Sequence, residues 1–234
     1  CNEVFNQIAR DEKARDIRAS FLLAGAMLGR FGKAVMPMPG GCSIGLRPVD
    51  LHLKGFTSLG AECNIEQGMV NIEAKELKGN DVYLDFPSVG ATENIMLAGV
   101  LAKGETTISN CAIEPEIVDL AKFLNSIGAK ISGAGTDTIV IKGVNELGGC
   151  CHRVIPDRIE AGTFMIAVAG AGGNVKIQDV IPEQLRPVIS KLKEADVEVK
   201  EDENSVTVCS DGFIANTDIK TCLLYTSPSP RDTR

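Results

Sequence analysis

The sequence predicts an α/β fold built from a repeated α-β-α-β-β unit, and three observations point to it. An apolar helical stretch recurs at 16–32, 90–104 and 159–170; anchored on Ala19, Ala91 and Ala161, the copies are offset by 72 and 70 residues. Each stretch is followed by the same succession of short strand, second helix and paired strands. The second helix of every copy opens on a proline, Pro48, Pro115 or Pro182, a residue suited to the first helical turn because the N–H there has no partner to lose.

In the first copy, Ile17, Phe21, Ala24 and Leu28 share one helical face, and Gly32 is the stop. A strand over 34–38, a helix over 48–59 and paired strands at 62–65 and 70–72 follow. The second copy has a helix whose run Ile95-Met-Leu-Ala-Gly-Val-Leu-Ala is apolar on every side, the mark of a buried helix. Its strand covers 106–109, its second helix 115–127 and its paired strands 130–132 and 138–141. The third copy repeats the pattern: Phe164-Met-Ile-Ala-Val-Ala-Gly predicts another buried helix, then a strand at 175–178, a helix at 182–195 and strands at 197–200 and 205–209. The second helices of the first two copies both end in an aliphatic-Gly-Ala signature, at Leu59 and Ile127.

At 234 residues with 44% hydrophobic and 24% charged residues, the chain has enough apolar sequence for a core. With 4% aromatics and no Trp, that core rests on Ile, Val, Leu and Ala. A net charge of −7 excludes non-specific nucleic-acid binding, which needs a basic face. The eight cysteines form no Cys-x-x-Cys pair, and two histidines supply no zinc spacing, so no metal site is expected. Scattered free thiols suit a reducing cytoplasm. No apolar stretch approaches the ~20 residues of a membrane span, and no signal peptide is evident.

The segment 39–52, Pro-Gly-Gly-Cys-Ser-Ile-Gly-Leu-Arg-Pro-Val-Asp-Leu-His, concentrates the chemistry. Its glycines let a backbone approach a ligand closely, and the helix opened by Pro48 presents free N–H groups that favour anions. Cys42 and Arg47 on such a turn suggest work on an anionic substrate. An ordinary loop with a buried cysteine is the plain alternative, as a solvated helix face is for Arg18 and Arg30.

Arg18-Ala-Ser-Phe, the 39–52 segment, Asp85-Phe-Pro-Ser-Val-Gly-Ala-Thr, Glu114-Pro-Glu-Ile-Val-Asp and Pro156-Asp-Arg-Ile-Glu-Ala-Gly-Thr-Phe closely resemble the UDP-N-acetylglucosamine 1-carboxyvinyltransferase family. The resemblance runs from about residue 15 to 221. It implies an enolpyruvyl-transferase-like inside-out α/β barrel, two domains of three repeats each with the site in the cleft between them. It also implies transfer of the enolpyruvyl group of phosphoenolpyruvate to UDP-N-acetylglucosamine, the first committed step of peptidoglycan synthesis, with no cofactor. The related shikimate-pathway enzyme shares fold and chemistry but lacks the cysteine loop.

On that resemblance Cys42 supplies a proton and is the thiol alkylated by fosfomycin. Arg47 and Arg18 grip the phosphate and carboxylate of phosphoenolpyruvate, a task for which a rigid guanidinium fork is suited. Pro48, Val49, Asp50 and Leu51 cradle the uracil, and Ser88, Val89 and Gly90 bind the diphosphate at a helix start. His52 divides between a site role and helix-face packing. Glu114, Glu116, Asp157, Arg158 and Glu160 fall in motifs around the cleft and hinge, where ion pairing that sets geometry outweighs direct chemistry. Phe86 departs from the family, which often carries a lysine there for the diphosphate.

The same resemblance divides the chain into a truncated first domain at 1–156, a partial second domain at 157–221 and a non-native tail at 222–234. That tail reads as translated sequencing adapter, with a disordered Ser/Pro-rich tail as the alternative. A family lysine upstream of Cys1 and an aspartate base beyond residue 221 are missing from this chain, so little turnover is expected of these 234 residues alone. A non-catalytic UDP-sugar-binding or regulatory paralogue of the same fold is the rival reading, favoured by Phe86 and opposed by the retention of Cys42, Arg47 and Arg18. A purely structural repeat protein has only the repeats in its favour.

Overall fold

A computed structural model describes residues 14, 15, 17–39 and 49–219. Cys42, Arg47, Pro48 and the 222–234 tail lie outside the described residues, as does the side chain of Arg18. The chain divides into two compact units, Cys1–Val154 and Ile155–Arg234.

In the first unit a 3₁₀ turn over Arg18–Leu22 runs into α1, Leu23–Phe31. Gly32 ends α1 at φ 68°, a left-handed conformation that glycine adopts without strain, and its N–H bonds to Leu28 O at 2.9 Å. The single helix expected from residue 16 therefore starts as a tighter turn. Phe21, Ala24 and Leu28 are buried as predicted, but Ile17 is exposed. It sits at the cap in an extended conformation (φ −103°, ψ 104°), where helical periodicity has not begun. After α1 come β1 (Lys33–Pro37), α2 (Asp50–Ser58), β2 (Glu62–Glu66) and β3 (Met69–Glu73), forming a fully antiparallel sheet of order β1-β3-β2.

The second copy contains α3 (Val89–Gly99), β5 (Glu105–Ser109), α4 (Pro115–Ser126), β6 (Lys130–Ser132) and β7 (Thr138–Lys142), preceded by a strand the repeat pattern did not predict, β4 (Asp81–Tyr83). β4 pairs parallel with β5 at the edge of a sheet ordered β4-β5-β7-β6, whose other pairs are antiparallel. Three residues with only Val82 buried leave too little alternation to read as a strand. Helix α3 is buried as expected, with Ile95, Met96 and Ala98 fully enclosed. It packs on α1, α2 and α4. The α1–α3 seam closes at Gly25, where any Cβ would sit 2.8 Å from Asn94 Oδ1 and closer still to the Asn94 carbonyl oxygen.

The second unit contains α5 (Arg158–Ala171), β8 (Gly173–Gln178), α6 (Pro182–Glu194), β9 (Glu198–Glu201) and β10 (Ser205–Ser210), with an antiparallel sheet of order β8-β10-β9. The amphipathic α6 buries Leu185, Ile189 and Leu192. Helix α5 departs from expectation. It buries Ala161, Gly162, Met165 and Ala169 but leaves Ile159, Phe164 and Ile166 more than half exposed, at 60%, 56% and 56%. Within its unit α5 packs on β8, β10 and α6. Among the described residues Cys63, Cys111, Cys150, Cys151 and Cys209 are free thiols. No described helix is long and apolar enough to cross a membrane.

Candidate functional site

The starts of two helices converge in the first unit. At the start of α2, Val49 and His52 share a side at i, i+3, while Leu51 turns into the core at 5% exposure and Asp50 is exposed. At the start of α3, Ser88 is the N-cap, its Oγ accepting from Ala91 N at 3.4 Å. The next amides, of Val89 and Gly90, belong to the first turn, whose N–H groups have no helical acceptor. Between them lies a cavity of about 430 Å³, walled by Phe21 and Leu22 of the 3₁₀ turn, Val49 and His52 of α2, and Ser88, Val89, Gly90 and Glu93 of α3. Its size suits a small-molecule ligand. Of the residues singled out in the sequence, the structure gathers Val49, His52, Ser88, Val89 and Gly90 here.

Gly90 is tightly placed: a Cβ would lie 3.2 Å from His52 Cε1, so the ring would have to give by a few tenths of an ångström. Thr92, fully buried, braces the capping turn, donating from Oγ1 to Ser88 O at 2.8 Å and accepting from Ala112 N at 3.1 Å. Glu93 adds a carboxyl to the wall. Burial and the neighbouring Glu116 carboxylate push its pKa up from the ordinary 4.5 to about 7. Sequence reasoning passed over Thr92, Glu93 and Asn94; their signal was three polar residues together at the head of an otherwise apolar helix.

Glu114 is the N-cap residue of α4, and its buried Oε2 has no hydrogen-bond partner among the described residues. Glu116 lies in the first turn of α4. Phe86 packs half-buried against the core. The neighbouring cation Lys54 is held by Asp85, at 3.0 and 2.9 Å from its two carboxylate oxygens.

In the second unit Asp157 is an N-cap, its Oδ1 accepting from Ile159 N at 2.7 Å and Glu160 N at 3.1 Å. Arg158 opens α5, and Glu160 in its first turn is exposed. The spacing Asp157-x-x-Glu160 is that of a capping box, which was readable in the sequence as a helix start. Asp157→Ala should cost about 1 kcal/mol and speed amide exchange at Ile159 and Glu160 more than in α6. Among the described residues no cluster of potential metal ligands occurs.

Residues 2–230 match the family model described as EPSP synthase (3-phosphoshikimate 1-carboxyvinyltransferase). The chain belongs to the EPSP synthase family. Within that family it is 56% identical over 221 residues to UDP-N-acetylglucosamine 1-carboxyvinyltransferase 2 of Carboxydothermus hydrogenoformans, covering 94% of this chain and 53% of the relative. It is 58% identical over 210 residues to UDP-N-acetylglucosamine 1-carboxyvinyltransferase 1 of Caldanaerobacter subterraneus subsp. tengcongensis, covering 90% and 51%. The chain spans about half the length of these relatives.

Among solved family folds, the enolpyruvyl transferase NikO from Streptomyces tendae superposes with a TM-score of 0.69 at 25% identity, over 83% of this chain and 47% of that one. An EPSP synthase from Acinetobacter baumannii superposes at 0.60, also at 25% identity, over 83% and 46%. The α/β enolpyruvyl-transferase fold expected from the sequence is thus the observed one.

Proposed function

We propose that the complete protein is a cytoplasmic enzyme that transfers the enolpyruvyl group of phosphoenolpyruvate to the 3′-hydroxyl of UDP-N-acetylglucosamine, in peptidoglycan synthesis. The observation that carries this reading is the cavity at the head of α3. The amides of Val89 and Gly90, the Ser88 cap and the α2 residues Val49 and His52 meet there, in a chain whose relatives bear that enzyme's name. A helix start with an adjacent apolar wall suits a nucleoside diphosphate, the phosphates at the amides and the base along Val49.

In the proposed reaction the sugar hydroxyl adds to C2 of phosphoenolpyruvate, forming a C–O bond as its own proton passes to a general base, while C3 takes a proton from the Cys42 thiol. The tetrahedral adduct then loses the C3 proton and expels phosphate, restoring the double bond. Arg18 and Arg47 would hold the phosphate and carboxylate and offset the charge that builds up on them.

The test measures phosphate release by the complete protein. Release is expected only with phosphoenolpyruvate and UDP-N-acetylglucosamine together, and fosfomycin should add one mass label to the peptide containing Cys42. Release with shikimate 3-phosphate instead would assign the other branch of the family. UDP-N-acetylglucosamine binding with neither release nor labelling would mark a non-catalytic binding module.

A further inference from the structure

Between β7 and the Asp157 cap the chain runs through residues 143–156 without helix or strand, an unusually long connection for a compact fold. The boundary between the two units falls within it, after Val154. Most of the connector is nevertheless fastened to the first unit. Gly143 N donates to Gly104 O and Val144 N to Val100 O, each at 2.9 Å, and Gly148 N donates to Ile127 O at 2.7 Å. Leu147 packs half-buried against the core.

Further along, side chains take over. Asp119, Phe123 and Ser126 lie at i, i+4 and i+7 on one side of α4, and each meets a residue of the connector. Ser126 Oγ is 3.0 Å from Cys150 Sγ. The His152 ring stands against Phe123, with centroids 5.5 Å apart and planes at 60°. His152 Nε2 donates to Asp119 Oδ1 at 3.2 Å; a carboxylate oxygen accepts, so Nε2 carries the proton of this bond. Side-chain exposures of 20% for His152 and 12% for Asp119 keep most water away from the contact. A hydrogen bond to a charged group holds better there than on an open surface. The two residues that follow, Arg153 and Val154, are exposed.

We propose that the His152–Asp119 contact is a clasp that sets the length of the tether between the two units. Closed, it leaves only residues 153–156 loose before the α5 cap. Open, it frees the chain from residue 149 onward, after the Gly148 hydrogen bond, and the loose run doubles. Sulfur is too weak a hydrogen-bonding partner for the Cys150 contact to hold the chain alone. At ~3.5 Å per residue the reach of the tether grows from ~14 Å to ~28 Å, and a longer tether lowers the concentration of one unit about the other. The clasp depends on no ligand and on no reading of the reaction.

Trypsin reads the clasp in the 234-residue chain. It cleaves after Arg153 and must draw the residues on both sides of that bond, His152 among them, into its own cleft. Cleavage of a segment that opens and recloses quickly follows the population of its open form. Asp119→Ala leaves the cleaved sequence untouched and should speed cleavage after Arg153 about tenfold, the loss of one hydrogen bond to a charged group. His152→Ala should do the same, and the double variant should cleave no faster than either single one, the mark of one shared contact. Cleavage after Lys142, which ends β7, reports unfolding of the first unit and should stay at its original rate in all three. An unchanged rate after Arg153 in Asp119→Ala overturns the proposal. Equal acceleration at Arg153 and Lys142 also overturns it, since the two residues would then support the unit as a whole. So does a double variant in which the two effects multiply.

Discussion

Replacing Gly25 with alanine should destabilise the first unit by about 3 kcal/mol, lowering its melting midpoint by roughly 10 °C in circular dichroism. The new methyl would overlap the Asn94 carbonyl oxygen and crowd Oδ1. The neighbour is helix backbone, which cannot swing aside as a long side chain would. Relief means parting α1 from α3, and that breaks the Gly25–Asn94 hydrogen bond in a buried seam. Gly170→Ala is the matching control. It lies in α5 with the nearest outside atom 4.0 Å away, and alanine there should be neutral or gain up to ~1 kcal/mol from helix propensity. Equal melting of Gly25→Ala and the unaltered chain would mean the seam is looser than described.

Stability should also fall as pH rises through 7, and Glu93 is the cause. Its pKa rises from 4.5 to about 7 on folding, so between those values the folded chain holds a proton that the unfolded chain has released. The contribution is complete below 4.5 and is lost as pH climbs through about 7. Solvent screening at this half-buried carboxyl leaves about 2 kcal/mol of the effect. Glu93→Gln should match the unaltered chain near pH 5 and exceed it by about 2 kcal/mol near pH 9 in denaturant titrations. Parallel pH profiles for the two proteins would remove Glu93 as the source. The same protonation favours an anion in the cavity, since a neutral carboxyl does not repel it.

The repeat, the strand pairs and the glycine stop of α1 were legible because each is local. Periodicity and turn chemistry act over a few residues, and these segments obey them. Asn94 was not legible for the opposite reason. Its partners lie 42, 69 and 73 residues away, and three polar residues at the head of an apolar helix do not say which of them knits elements together and which faces solvent. Motif resemblance located the α2 and α3 starts, but the spacing that sends Val49 and His52 to the cavity and Leu51 to the core becomes visible only on a helix. Asp157 was read as a candidate ion-pairing residue, although the capping spacing with Glu160 was already present. The apolar pattern of α5 reported what that helix is able to bury and carried no information about what surrounds it.

The exposed side chains of α5 affect how the molecule behaves in the tube. Phe164 and Ile166, with Phe213 of the same unit at 73% exposure, offer apolar surface to a dye in the folded state. Fluorescent dyes that brighten on greasy patches, normally a sign of lost packing, will glow with the intact chain. Their signal therefore starts high, and heating curves built on them understate how well the molecule holds together.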